Sequence, residues 1–347
     1  MTDFAALFYP GKIHGAINGR RFTPEESSGL LAMVNPFYPN LLPPRVSKGS
    51  NVARWDAPPL LPGTRAICDS QAFQTWENRV IGKRRTKRER MTPWEAIEAQ
   101  LAFERRLQGD GCGPDFRFEA VVTYDKLVDE AIVDGEQVKR RASEVDAEGM
   151  VEETLRSAYV YKHRENEFSG AIAYAAQGAT LRQYMDCVRA LLPLMRPGRD
   201  WLALGGFCII GMHPSLKPLF IAICREVAPL LKRHGIHRVH VLGVCVCDAL
   251  RDACAIFAAH GIHFSTDSTS MEQNGIMGKE WDEDHMESTA KGSAFVKRYG
   301  KADKRVNYHS ADVAMRNIEN FTRWLAKQGA HSKSRRPLPA LQESLAL

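Results

Sequence analysis

The chain has 347 residues, of which 44% are hydrophobic and 25% charged, and a formal net charge of +6. That balance fits a globular protein with one large core or two ordinary ones, and it excludes a fibrous or wholly disordered class. No apolar run approaches the roughly 20 residues of a membrane span, so no membrane association is expected. The opening Met1-Thr2-Asp3-Phe4-Ala5 has no basic region before an apolar stretch, so no secretion signal is expected. The eight cysteines form no dense framework, which points to reduced thiols and a cytoplasmic location.

Residues 1–60 hold many of the prolines (Pro36, Pro39, Pro43, Pro44, Pro58 and Pro59), with 30–34 as a candidate strand. They read as an irregular N-terminal segment packed on something larger. From residue 64 a rhythm begins. Arg65-Ala66-Ile67-Cys68 is short and apolar and ends in Asp69-Ser70-Gln71. A dense basic run follows: Lys83, Arg84, Arg85, Lys87, Arg88 and Arg90. It reads either as a solvated loop or as a phosphate-contacting, nucleic-acid-binding segment. The next helix is predicted over 92–107, with Thr92 as N-cap, Pro93 first and Glu95 third.

Phe118-Glu119-Ala120-Val121-Val122-Thr123 is the second strand of the rhythm and ends in Tyr124-Asp125. A long charged helix is predicted within 136–166. The third strand, 170–175, ends in Gln177-Gly178, and a helix over 180–195 stops at Arg196-Pro197-Gly198. Trp201-Leu202-Ala203-Leu204 ends in Gly205-Gly206. After a helix over 214–234, Val239-His240-Val241-Leu242 ends in Gly243. A helix near 248–260 leads to a sixth strand, 262–265, which runs out at Asp267. Residues 276–308 are mixed and charged, 309–328 form a last amphipathic helix, and 329–347 are a loose basic tail.

Strand, polar end and helix repeated in this way argue for a parallel sheet covered on both faces. Six such units in one run favour an α/β fold of the (β/α)8 TIM-barrel type. It would form a single domain over 1–347, with the barrel over 61–328 and insertions. The two remaining strands would lie before residue 64 and after residue 270. All strand ends would then face one mouth, bringing together Asp69, Asp125, Gln177, Gly205, Gly206, Gly243 and Asp267. Asp267 has a second reading as the cap of the following helix, since Ser268 and Thr269 follow it.

Two carboxylates across a cleft suit glycosidic bond chemistry, one attacking the anomeric carbon and the other handling the leaving group's proton. A third carboxylate with a glutamine matches the edge of a guanine-like base. Adjacent glycines let backbone N–H groups approach its carbonyl oxygen.

The motifs themselves resemble one family. Asp69-Ser70-Gln71-Ala72-Phe73-Gln74 resembles the Asp-Ser-Gly-Gly-Phe-Gln signature of the tRNA-guanine transglycosylases, and Ala176-Gln177-Gly178 their Val-Gln-Gly. Leu204-Gly205-Gly206-Phe207 is similar to their Gly-Gly-Leu loop, and Val241-Leu242-Gly243-Val244 to their Leu-Met-Gly-Val. Asp267 stands where the family's nucleophile does, seven residues before Asn274-Gly275. Order and spacing agree over about 64–275.

Departures are informative. The family's Cys-x-Cys-x-x-Cys zinc motif after the nucleophile is absent, because no cysteine follows Cys254. No cofactor is therefore expected, although Cys245, Cys247, Cys254 and nearby histidines leave a metal alternative beside the reading as buried thiols. The family's arginine-bearing segment is here Thr269-Ser270-Met271-Glu272-Gln273-Asn274-Gly275. These losses resemble the 7-deazaguanine DNA transglycosylase branch of bacteria and phages.

That resemblance implies a base-exchange transglycosylase placing 7-cyano-7-deazaguanine or a derivative in DNA, with Asp267 and Asp69 catalytic. It implies base binding by Asp125, Gln177, Gly205, Gly206 and Gly243, with Phe207, Cys208 and Met271 as further pocket candidates that read equally as core. Its partners would be DNA and a 7-deazaguanine base. Alternatives are a tRNA-directed enzyme and a non-catalytic nucleic-acid-binding partner subunit. The incoming base, the sequence context and the oligomeric state are not readable.

Overall fold

The structure, a computed structural model, describes residues 5–8, 31–34, 65–70, 91–109, 112–133, 136–268, 270–276, 279–290 and 308–332. It is an α/β fold in which eight parallel strands form one curled sheet. The strands are β1 (Ala5–Phe8), β2 (Leu31–Val34), β3 (Arg65–Cys68), β4 (Ala120–Val122), β7 (Ala171–Ala176), β8 (Trp201–Leu204), β9 (Arg238–Val241) and β10 (His263–Asp267). They pair in the order β1-β10-β9-β8-β7-β4-β3-β2. β1 also pairs with β2, Leu7 and Phe8 lying opposite Leu31 and Ala32, so the ladders return on themselves. From β3 to β10 the strands are separated by helices α1 (Pro93–Gly109), α2 (Glu144–His163), α3 (Leu181–Leu191), α4 (Lys217–Arg233) and α5 (Cys247–Ala259). Beyond β10 lie α6 (Ser270–Ile276), α7 (Glu283–Ala290) and α8 (Tyr308–Ser332).

Local chemistry explains the helix starts. At α1 the Glu95 side chain accepts the Thr92 N–H at 2.7 Å, and Thr92 Oγ1 accepts the Glu95 N–H at 3.3 Å, a reciprocal capping box. Ser143 caps α2 through the Asp146 N–H, and Thr180 caps α3 through the Gln183 N–H.

The strand wall has two faces. Inward lie Met33, Ile67, Ala120, Val122, Ala171, Ala173, Ala175, Trp201 and Ala203, a layer dominated by small side chains. Outward, residues such as Val121, Ile172, Tyr174, Leu202, Val241 and Phe264 pack against the helices in the main core. This two-sided burial is why the strands read as continuous apolar runs. At the strands' starting end, Trp201 is 4% exposed and lies under the Arg238 guanidinium, 5.0 Å from the ring centroid. Arg238 and Arg65 both pair with Glu119 there.

Two expectations are corrected. Both remaining strands, β1 and β2, lie before residue 64, and neither lies after residue 270; β2 falls on the candidate strand at 30–34, while β1 is held by its pairing with β10 and β2. Residues 136–139 are not helical; they form β6 (Glu136–Lys139) of an antiparallel hairpin with β5 (Glu130–Val133). The predicted helix begins only after the Ser143 cap.

Candidate active site at the strand ends

Asp267 closes β10 and is 5% exposed. Its Oδ1 accepts the Gly243 N–H at 2.9 Å and lies 3.0 Å from His240 Nε2. His240 projects inward from β9, with Ala203 and Ser265 as its neighbours in register. Those small residues leave room for the imidazole. Its Nδ1 is 2.9 Å from Ser265 Oγ. Nε2–H donates to Asp267, a role assigned from the bonding pattern because a carboxylate oxygen only accepts. Oδ1 of Asp267 is turned to β9, and Ser268 Oγ accepts the Ser270 N–H at 3.1 Å at the start of the next helix. Gly243 has φ +71°, and a Cβ there would lie 2.5 Å from Cys208 Sγ, so both backbone and space require glycine.

A second corner is built on Asp125. Gln177 Nε2 donates to its Oδ2, and Ser70 Oγ donates to its Oδ1 at 3.4 Å. Burial pushes the Asp125 carboxyl up to about 7, because the Gln177 bond only partly offsets desolvation and the nearby Asp69 charge adds to it. Gln177 is fully buried. A Cβ on Gly205 would lie 2.1 Å from Gln177 Nε2, so the carboxamide lies directly over that glycine. Gly206 has φ +77°, with Val128 Cγ2 and Gln177 Oε1 at 2.7 and 2.8 Å from a Cβ position.

Asp69 follows β3. Its N–H donates to the Val34 carbonyl at 2.7 Å, and its carbonyl accepts Gln100 Nε2 at 3.2 Å. Gln100 also reaches the Val122 carbonyl at 2.9 Å and accepts the Tyr161 hydroxyl at 2.9 Å. A buried, fully bonded glutamine on α1 thus ties the ends of β3 and β4 together.

Cys208 shows how these corners relate. Burial raises its thiol well above the ordinary range, and the charges of Asp129, Asp267, Asp125 and Asp69 raise it further. The carboxylates at the ends of β3, β4 and β10 are thus within electrostatic reach of one half-buried thiol, whose Sγ is 3.6 Å from the Leu242 carbonyl. Such a pocket can hold a polar ring by its edge with acids on either side.

Sequence reading overlooked three groups. His240 was legible only as one polar residue in an apolar strand. Asp129 and Arg141, which flank the hairpin, carry no motif. Arg141 donates to the carbonyls of Gly206, Gly178 and Ala179, and Asp129 lies 3.4 Å from its Nη1. Burial raises the Asp129 carboxyl to about 6 despite Arg141 and the Cys208 and Ile209 amides.

Phe207 and Met271 take the core reading, not the pocket one. Phe207 is fully buried against Phe220 on α4 (5.0 Å) and Tyr184 on α3 (5.9 Å). The left-handed turn at Gly206 delivers its ring to the core behind the wall, away from a base-stacking position. Met271 on α6 is likewise fully buried in that core. The basic residues Lys83, Arg84, Arg85, Lys87, Arg88 and Arg90 lie outside the described residues, as do Gln71 and residues 333–347 of the expected tail; its first residues, 329–332, instead continue α8.

Among the described residues no group of three or more His, Cys, Asp or Glu side chains is placed to hold a metal ion. Cys245 is paired with Ser268 and Ser270, and Cys254 points at the Leu325 carbonyl at 3.6 Å. No helix among the described residues is long and apolar enough to cross a membrane. No protein-family model matches the chain, and no curated protein matches it.

Proposed function

We propose that this chain is a base-exchange transglycosylase, built as a (β/α)8 barrel, that replaces guanine in DNA with a 7-deazaguanine. The observation that carries the reading is geometric: strand-end residues distant in sequence meet, with Ser70 and Gln177 on Asp125 and Gly243 on Asp267. β1's ladders to both β10 and β2 favour the barrel.

In this mechanism a flipped-out deoxyguanosine enters the mouth, since neither C1′ nor the base edge is reachable inside a duplex. An oxygen of the Asp267 carboxylate attacks C1′. The C1′–N9 bond breaks, its electron pair goes to guanine, and protonated Asp69 supplies the N9 proton. Guanine leaves and a 7-deazaguanine takes its place. Asp69, now a carboxylate, removes the N9 proton of the new base. N9 attacks C1′, and the Asp267 carboxylate departs. The Gly243 N–H and His240 on Oδ1 hold the carboxylate in a fixed orientation toward the sugar. Asp125 in its ionised form accepts N–H groups of the base edge, with Gln177 and the Gly205-Gly206 backbone beside it. Contacts from the basic run at 83–90, in the connection that follows β3, would weaken steeply with salt.

The test is incorporation of 7-cyano-7-deazaguanine and exchange of labelled guanine, run in parallel on duplex DNA and on tRNA. Product in DNA is the expected result. Product in tRNA alone overturns the substrate assignment, and none in either overturns the activity.

A further inference from the structure

Asp129 immediately precedes the β5–β6 hairpin and Arg141 closely follows it, and the two meet as a pair with side chains only 5% and 10% exposed. Arg141 grips two strand-end connections at once. Nη2 donates to the Gly178 carbonyl and Nε to the Ala179 carbonyl at 3.1 Å, both after β7. Nη1 donates to the Gly206 carbonyl after β8, and the guanidinium lies over the Phe207 ring at 4.7 Å. Asp129 faces the backbone N–H groups of Cys208 and Ile209 on the same connection. Burying such a pair gives little net stability, because desolvation offsets attraction. What it does give is a fixed orientation for each peptide it holds. With the Gly206 carbonyl directed at Arg141, the N–H of that same trans peptide, which is Phe207's, is directed the opposite way, while the Gly205 N–H is held by the Ala176 carbonyl at 3.0 Å. Val128, next to Asp129, closes the space beside Gly206, as does Gln177.

We propose that Asp129 and Arg141 are positioning residues that lock the Gly205-Gly206 backbone and Gln177 in the geometry that reads the base. The hairpin between them thereby becomes the element that sets base selectivity. This rests on the transglycosylase reading. The pair acts through the glycine connection and Gln177, with no part in proton or glycosyl transfer. A connection lacking its strap samples other peptide orientations, so base binding suffers while DNA binding does not.

The test uses the full chain with Arg141→Met, Arg141→Lys and Asp129→Asn. Arg141→Met should raise KM for guanine and for the 7-deazaguanine at least tenfold, change the ratio between the two bases, and leave KM for duplex DNA within twofold. Arg141→Lys should recover part of the loss, since an ammonium cannot span the carbonyls a guanidinium fork reaches. Hydrogen exchange read by mass spectrometry should show faster amide exchange at 205–210 in Arg141→Met. Unchanged base KM and selectivity with a loosened 205–210 connection overturns the proposal, as does a fall in kcat alone. If Arg141→Met does not fold, Asp129→Asn and Arg141→Lys decide by the same criteria. If the wild-type protein exchanges no base on any nucleic acid, the transglycosylase reading has failed instead. The strap is then judged by amide exchange alone, and unaltered protection at 205–210 overturns it.

Discussion

His240 Nε2 and Asp267 Oδ1 are 3.0 Å apart, with the imidazole wholly inside the strand wall. One oxygen of the carboxylate is thus committed to the protein and its rotation about the terminal bond is blocked. His240→Phe removes that donor from Oδ1. A hydrogen bond to a charged group contributes about 1.5–3 kcal/mol, so kcat should fall on the order of 10- to 100-fold. KM for the base should stay near its wild-type value. Pre-steady-state accumulation of the DNA adduct checks this, and unchanged adduct formation rejects the orienting role.

Asp267→Asn should abolish covalent trapping of DNA and labelled-guanine exchange, because an amide oxygen is a poor nucleophile. Asp69→Asn should leave a slow adduct step but almost no exchange of an incoming base, since nothing removes the N9 proton. Denaturing gels of protein–DNA adducts separate the two variants. Full exchange by Asp267→Asn would rule out the nucleophile assignment.

Asp125 gives a pH prediction for stability. In the fold its carboxyl titrates near 7, above the range of an unfolded chain. The fold therefore favours the protonated acid. That contribution is complete below the unfolded pKa and is lost as pH rises through about 7, with Asp129 adding a similar loss through about 6. The thermal midpoint should fall between pH 5 and pH 8. Asp125→Asn should flatten the upper part of that fall, an effect on the order of a few kcal/mol at pH 8. A wild-type midpoint that does not fall, or an equal slope in the variant, would show that the acid is solvated.

The same titration acts in the opposite sense on the base. Ionised Asp125 is the form that accepts N–H groups, so affinity for free guanine should rise toward pH 7 and level off above it. Below pH 7 it should drop by roughly tenfold per unit at most. Calorimetric titration over pH 5.5–8.5 measures it, and a flat profile contradicts edge reading by this carboxylate.

Gly205→Ala tests packing over the base pocket. Gly205 lacks a left-handed φ, so backbone strain is small. The added methyl nevertheless meets Gln177 Nε2 at 2.1 Å. Overpacking should cost about 1–3 kcal/mol and push Gln177 off Asp125. Chemical denaturation and base titration should both register the change; a variant with wild-type base affinity would separate Gln177 from recognition.

Legibility in the sequence followed physical locality. The Thr92 and Glu95 box, the β8 run Trp201–Leu204 and the polar residues after β3, β7 and β10 are local signals, and the structure keeps them. β2 falls on the short apolar run at 30–34, whereas β1 is four residues long and becomes a strand only through its partners β10 and β2. Glu136 and Lys139 favour helix locally, yet cross-strand pairing with β5 overrides that preference. The better signal lay at Ser143 and Asp146, where the cap marks the true start of α2. Arg141 could not be found from sequence, because three carbonyls on distant turns define its role.

At the strands' starting end Trp201 lies beneath Arg238, with Glu119 bridging to Arg65. In the proposed exchange, both purines would use the mouth at the opposite end. The departing purine has to clear the way before its replacement enters, while the nucleic acid waits tethered to Asp267. Double-reciprocal plots against the two substrates would then run parallel, the signature of a ping-pong cycle.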